Sequence, residues 1–290
     1  MALRSFLFVP GDSERKLAKG DTVGADALIL DLEDSVDISR LPVARGMVRE
    51  YLLAHRGAGP QLWVRINPLD SGLALADLAE IVRGAPAGIM LPKGCGARDV
   101  ILLGQYLSAL EARDDIPAGS IGILPVATET PQAMFALGEF RDAGPRLRAL
   151  TWGGEDLAAA MGASTNRQEN GEYEFTYSMA RSLCLLGAHA AGVAAIDTLW
   201  ANFRDADGLR RDAAHARRAG FTGKIAIHPS QVEHINAAFT PSDEELARAR
   251  RIVKAFADSQ GVGTLQLDGE MLDRPHLKQA QRILAMMAAE

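Results

Sequence analysis

Short runs of β-branched and aliphatic residues recur along the chain, separated by longer stretches whose apolar positions repeat at helical spacing. The runs Ser5 to Val9, Ala27 to Asp31, Gln61 to Ile66, Gly88 to Leu91, Ile121 to Val126, Leu147 to Trp152, Ala195 to Thr198 and Lys224 to Ile227 predict eight strands, because their length and bounding turn residues suit buried strands. Leu41 to Leu53, Leu75 to Val82, Pro131 to Phe140, Thr176 to Ala190 and Asp207 to Arg218 predict helices between them. Strands alternating with helices favour an α/β fold with a parallel sheet under helices. Eight such units closing on themselves make a (β/α)8 TIM barrel. An open doubly wound sheet usually carries GxGxxG after its first strand, and none follows here.

Beyond about Ile235 the pattern changes. Pro241-Ser242-Asp243-Glu244-Glu245 reads as a helix entry, a glycine-rich break covers Gly261 to Gly263, and Pro275 to Met287 is a strong helical pattern. The expected organisation is therefore a barrel over 1–235 and a C-terminal helical lid or oligomerisation segment over 236–290.

Hydrophobic residues make up 48% of the 290, enough to bury a sizeable core and too many for a disordered chain. Lys and Arg number 31 against 37 acidic residues, a net charge of −6, so neither nucleic acid nor an anionic membrane is an expected partner. No apolar stretch reaches the roughly 18 residues of a membrane-spanning helix, and the N-terminus lacks the apolar core and cleavage site of a signal peptide. Cys95 and Cys184 stand far apart without metal-ligand spacing, which fits a reducing compartment. A cytoplasmic protein is the expectation. Neither GxxxxGK[ST] nor HExxH occurs.

Loops after barrel strands build the active site, so the polar residues just past each apolar run carry the chemistry. They are Asp31-Leu32-Glu33-Asp34, Arg65 with Asn67, Pro92-Lys93, Thr128-Glu129-Thr130, Gly153-Gly154-Glu155-Asp156, Asp197 and His228-Pro229. Carboxylates converging on one rim raise each other's pKa, and a bound cation relieves the repulsion. Oxygen donors without a His or Cys cluster favour Mg2+. Spacing alone does not choose among Glu33, Asp34, Glu129, Glu155 and Asp156.

The segments Arg4-Ser5 with Phe8-Val9-Pro10-Gly11, Gly24-Ala25-Asp26 with Asp31-Leu32-Glu33-Asp34, Val64-Arg65-Ile66-Asn67, Leu91-Pro92-Lys93, Gly153-Gly154-Glu155-Asp156, Ala195-Ile196-Asp197 and Gly223 to Gln231 resemble, in order, the citrate lyase β-subunit family. This is the CitE-like branch of the HpcH/HpaI aldolase superfamily. The resemblance implies a barrel enzyme that cleaves or forms a carbon–carbon bond beside an acyl thioester. It implies metal ligands at Glu129 and Asp156, an oxyanion-binding Arg65, and a Glu33-Asp34 pair orienting metal-bound water. Arg15, with Lys16 and Lys19 behind it, matches the coenzyme A phosphate site, and Asp273 matches an acid/base aspartate on a lid that closes over a neighbouring subunit. A trimer or hexamer is then expected. Thr130-Pro131 and the Gly153-Gly154 pair depart mildly from the family pattern.

These residues permit Mg2+-dependent cleavage of a 3-hydroxyacyl-CoA, such as malyl-CoA or citramalyl-CoA, to acetyl-CoA and a 2-oxoacid. Main-chain N–H groups around Gly153, Gly154 and Glu155 are placed to hold the substrate carboxylate, and Lys93 either contacts substrate or neutralises the rim. Duller readings stand beside these. Arg65 can form a structural ion pair with Asp31 or Glu33, His228 can fix its loop, and Asp273 can cap the Pro275 helix. The lyase subunit of a citrate lyase complex acting on a carrier-bound thioester is one alternative function, and a non-catalytic assembly or binding protein is another.

Overall fold

Each of the eight apolar runs becomes a strand of one parallel sheet. The structure, a computed structural model, describes residues 3–57, 59–259 and 262–287. Its barrel elements in chain order are β1 (Ser5–Pro10), α1 (Glu14–Gly20), β2 (Ala27–Asp31), α2 (Leu41–Ala54), β3 (Gln61–Arg65), α3 (Ala74–Ile81), β4 (Gly88–Leu91), α4 (Ala97–Arg113) and β5 (Gly122–Pro125). There follow α5 (Pro131–Met134), β6 (Ala149–Thr151), α6 (Gly154–Met161), α7 (Phe175–Ala191), β7 (Ala194–Asp197), α8 (Ala206–Ala219), β8 (Gly223–Ala226) and α9 (Val232–Phe239).

Hydrogen-bonded strands run in the order β5-β4-β3-β2-β1-β8-β7-β6. The ring closes where β5 meets β6, through parallel bridges at Ile123–Leu147 and Val126–Thr151. There Ile123 N donates to Arg146 O at 2.7 Å and Ala127 N to Thr151 O at 2.8 Å. Both sheet faces are covered, which is why the strands read as continuous apolar runs and not as alternating ones. Phe6, Ile29, Trp63, Met90, Leu124 and Ile225 fill the interior, while Leu28, Leu30 and Val64 point outward into the helices. Parallel register sets Pro10 beside Asp31, Asp31 beside Arg65, and Arg65 beside Met90, so these residues reach one rim together.

Three expectations change. The predicted helix over 131–140 divides into α5 and a 3-10 stretch from Leu137 to Asp142, with Gly138, a poor helix former, inside the second. Ala133, Leu137 and Phe140 are buried all the same, so the apolar face survives the break. The boundary drawn at residue 235 falls inside α9, which packs on β1 and β8 and whose Asn236 Nδ2 donates to Gly24 O at 2.9 Å. The tail is not wholly helical. After α10 (Asp243–Asp258), closed by a Ser242–Glu245 capping box, come β9 (Thr264–Leu267) and β10 (Glu270–Asp273), paired antiparallel, then α11 (Arg274–Met287). Asp268 and Gly269 turn the hairpin with φ of 53° and 85°, the left-handed pair that a two-residue turn needs.

Leu272 joins Ala249, Ile252 and Ala280 in an apolar cluster of the tail's own. Arg217 on α8 ties α10 to the barrel through Glu245 at 2.9 Å. Gly261 of the glycine-rich break lies outside the described residues. Among the described residues, no helix is long and apolar enough to cross a membrane.

Candidate active site

Arg65 ends β3 with its guanidinium held by the neighbouring strand. Nε donates to Asp31 Oδ1 at 2.7 Å and Nη2 to Asp31 Oδ2 at 2.8 Å, a two-point contact that fixes the fork. The ion pair with Asp31 foreseen as an alternative is therefore present. It leaves Nη1 to face Glu33 at 2.9 Å and Asp34 at 3.2 Å, with the guanidinium over the Phe8 ring at 4.5 Å. Burial works to raise the pKa of Asp31, but Arg65, the Ser35 side chain and the Glu33 N–H outweigh it and hold the carboxyl below its ordinary range. Burial also opposes the charge on Arg65, which Asp31, Glu33 and Asp34 more than restore. Asn67 reaches back to Leu32 O at 2.9 Å and fixes the loop after β2.

Glu129 follows β5 and is 4% exposed. Its Oε2 accepts the Lys93 backbone N–H, and Gly153 leaves it room, since a Cβ at 153 would stand 2.9 Å from Glu129 Cγ. Burial, with the charges of Asp156 and Glu33 adding to it, pushes the Glu129 carboxyl up to about 8 against the pull of Lys93. Burial likewise raises Glu33 in spite of Arg65 and Lys93. Lys93 extends its ammonium to Glu33 and lies 3.7 Å from Asp34 and 3.6 Å from Asp156.

Asp31, Glu33, Asp34, Glu129 and Asp156 thus outnumber the two cations Arg65 and Lys93. Among the described residues no group of three or more His, Cys, Asp or Glu could by itself hold a metal ion. Two oxygen donors, Glu129 and Asp156, in a rim with excess negative charge fit a hard divalent cation that keeps most of its own water, as Mg2+ does.

A cavity of about 760 Å3 runs from this rim to α1. Arg65, Glu129, Glu155 and Asp156 line one part of it, and Arg15, Lys16 and Lys19 another. Gly153, just ahead of α6, lines it too and gives its N–H to Thr128 Oγ1 at 3.1 Å. Gly154 is buried behind, where a Cβ would meet Trp152 at 3.1 Å. Glu155 accepts from Asn166 Nδ2 at 3.3 Å. His228 lines the cavity and also caps its own loop, its Nδ1 accepting the Ser230 N–H at 3.2 Å. The loop-fixing contact read from the sequence is present.

Asp273 is not brought to the cavity of its own chain. It ends β10 with Oδ1 2.6 Å from His276 Nδ1, as α11 begins. Asp197 is drawn away from the rim as well. Fully buried, it accepts the Trp152 indole N–H at 2.8 Å, both arms of Arg181 at 3.0 and 2.8 Å, and the Lys224 ammonium at 2.6 Å. Lys224 in turn donates to Asp212 at 2.6 Å. Sequence reasoning missed this network, although a lysine inside the apolar run Gly223-Lys224-Ile225 signals a buried partner.

Residues 4–229 match the HpcH/HpaI aldolase/citrate lyase family. Mitochondrial citramalyl-CoA lyase of Rattus norvegicus is 34% identical over 98% of this chain and 85% of that protein. The citrate lyase β subunit of Escherichia coli (strain K12) is also 34% identical, over 97% of this chain and 92% of its own length. Among solved structures, protein CitE from Mycobacterium tuberculosis in complex with magnesium, acetoacetate and coenzyme A superposes with a TM-score of 0.80 at 33% identity, covering 98% of this chain and 97% of that one. With the match spanning most of its length, and the rim carboxylates and Arg65 assembled within that span, the chain belongs to the HpcH/HpaI aldolase/citrate lyase family.

Proposed function

We propose that this protein is a Mg2+-dependent carbon–carbon lyase that cleaves a 3-hydroxyacyl-CoA of the malyl-CoA or citramalyl-CoA kind into acetyl-CoA and a 2-oxoacid. One observation carries the reading: a single cavity joins the carboxylates Glu129 and Asp156 and the oriented Arg65 to the basic face of α1. A coenzyme A thioester needs both ends, cations for its phosphates and an electrophilic centre for its acyl group.

Glu129 and Asp156 hold the Mg2+, which supplies Lewis-acid stabilisation of the 2-oxoacid oxygens when bound. Arg15, supported by Lys16 and Lys19, takes the coenzyme A phosphates. The substrate hydroxyl gives its proton to the Asp273 carboxylate, the C2–C3 bond breaks, and its electron pair passes into the thioester as an enolate. Arg65, oriented by Asp31 through Nε and Nη2, gives the oxyanion its Nη1 in exchange for the contact with Asp34. N–H groups of Gly154 and Glu155 at the start of α6 hold the substrate carboxylate, the Gly153 N–H being given to Thr128 Oγ1 at 3.1 Å. Lys93 lies on the same rim, and Glu33 and Asp34 orient water there. Asp273 returns a proton to the enolate carbon from the C-terminal segment of a neighbouring copy, which makes the working form a homo-oligomer with the tail as its lid.

The test is to incubate purified protein with Mg2+ and malyl-, methylmalyl- or citramalyl-CoA and to follow free 2-oxoacid. Turnover of at least one, abolished by chelator, is expected, and none with any of them removes the reading. The E. coli β subunit, matched over 92% of its length, supports a second reading, lysis of a citryl thioester on a carrier protein. Turnover confined to the carrier-bound substrate would select it.

A further inference from the structure

Lys93 is unusual in backbone and side chain alike. It is one of four described non-glycine residues with positive φ, at 52°, a conformation that costs free energy and persists only where its surroundings impose it. That turn sends its N–H to Glu129 and its ammonium back across the rim to Glu33, Asp34 and Asp156. The side chain is about one-third exposed, so it has room to leave. Arg65 shares Glu33 and Asp34 with it, but among the described ion pairs Asp156 is met by Lys93 and not by Arg65.

We propose that the Lys93 ammonium is the displaceable counter-ion of the metal site. Without metal it stands among the acidic groups that the divalent ion draws on, and it swings outward as that ion enters. This rests on the reading of Glu129 and Asp156 as ligands. An ammonium 3.6 Å from Asp156 and a divalent ion bound to the same carboxylate repel each other, so each occupancy weakens the other. The lysine keeps the carboxylates gathered before metal arrives, and it weakens metal affinity by competing for them.

The sign of the effect on affinity tests this, because a lysine that merely braced the site would have the opposite one. Mg2+ binding to metal-free protein, read by calorimetry, and Mn2+ binding, read by electron paramagnetic resonance, compare wild type with Lys93→Met and Lys93→Arg. All three retain the N–H to Glu129, so only the side chain is compared. Lys93→Met should bind metal about two- to fivefold more tightly, the scale of one removed contact at a partly exposed charge. Its metal-free form should melt lower than wild type, and its metal-saturated form should match wild type. Lys93→Arg, whose bulkier cation stays on the rim, should bind metal no more tightly than wild type. Equal or weaker affinity in Lys93→Met overturns the proposal while leaving the metal site standing. A wild-type chain that binds neither ion overturns both.

Discussion

Arg65 shows how much one side chain depends on another strand. Its position at the end of an apolar run marks it for a task, and Asp31, level with it in the parallel register, decides where its fork points. Arg65→Lys keeps the charge and loses the two-point contact, so the remaining donor is no longer aimed. The expected result is a fall in kcat of about 10²–10³-fold with Mg2+ affinity nearly unchanged, measured by 2-oxoacid release and calorimetry. An unaltered kcat would make Arg65 a structural residue. At this scale the chain's residue types announced the rim but not its pairings. Glu33, Asp34, Glu129, Glu155 and Asp156 are chemically alike in a linear reading. Burial separates Glu129, at 4% exposure, from Asp34, more than half exposed, but not from Glu33 at 8%, which only the ion pairs with Arg65 and Lys93 set apart.

Elements carry their own tests. Glu111 near the end of α4 accepts the N–H groups of Gly119 and Ile121 at 2.8 and 3.1 Å and both arms of Arg146 at 2.8 and 2.5 Å, so it staples α4 to the approaches of β5 and β6 where the ring closes. Burial alone would raise its pKa, but Arg146 and those N–H groups hold it below the usual glutamate value. A carboxyl lowered by folding adds stability above its unfolded pKa of about 4.3, and that share fades as pH falls through the folded value. Glu111→Gln should cost about 3 kcal/mol at pH 7, leaving Arg146 unpaired. In urea unfolding the gap from wild type should narrow below pH 4, and a constant gap would contradict the pairing.

Gly269, at φ 85°, is the second test. Gly269→Val should cost about 1–2 kcal/mol locally, displacing Asp273 and lowering turnover without changing metal affinity. Turnover equal to wild type would show that the hairpin does not place the aspartate. Strands and long helices were legible because two-sided burial and helical spacing leave strong patterns. The hairpin was overlooked although its signal is local, Asp268-Gly269 being the residue pair a two-residue turn favours between the short runs Thr264–Leu267 and Glu270–Asp273.

At the scale of the whole molecule, one chain holds the rim and the cation-lined cavity but keeps Asp273 against His276, away from both. If the aspartate serves a neighbour, Asp273→Asn and Glu129→Gln are each inactive as pure proteins. Mixed after dissociation and reassembly, they should regain activity, because some cavities then combine an intact rim with an intact lid. Continued silence of the mixture, with mixed oligomers shown by mass spectrometry, would refute the exchange.

Local chemistry, read along the chain, was sufficient for the barrel: apolar runs at strand length, helical spacing between them and polar residues at each strand end leave few other ways to bury the same surface. Which of those polar residues meet was settled only by closure of the ring. Register put Asp31 beside Arg65, the turn at Lys93 drew its amide to Glu129, and packing withdrew Asp197 from the rim toward Lys224. Contacts across tens of residues depend on register and on competition for burial, and neither quantity is present in a linear pattern.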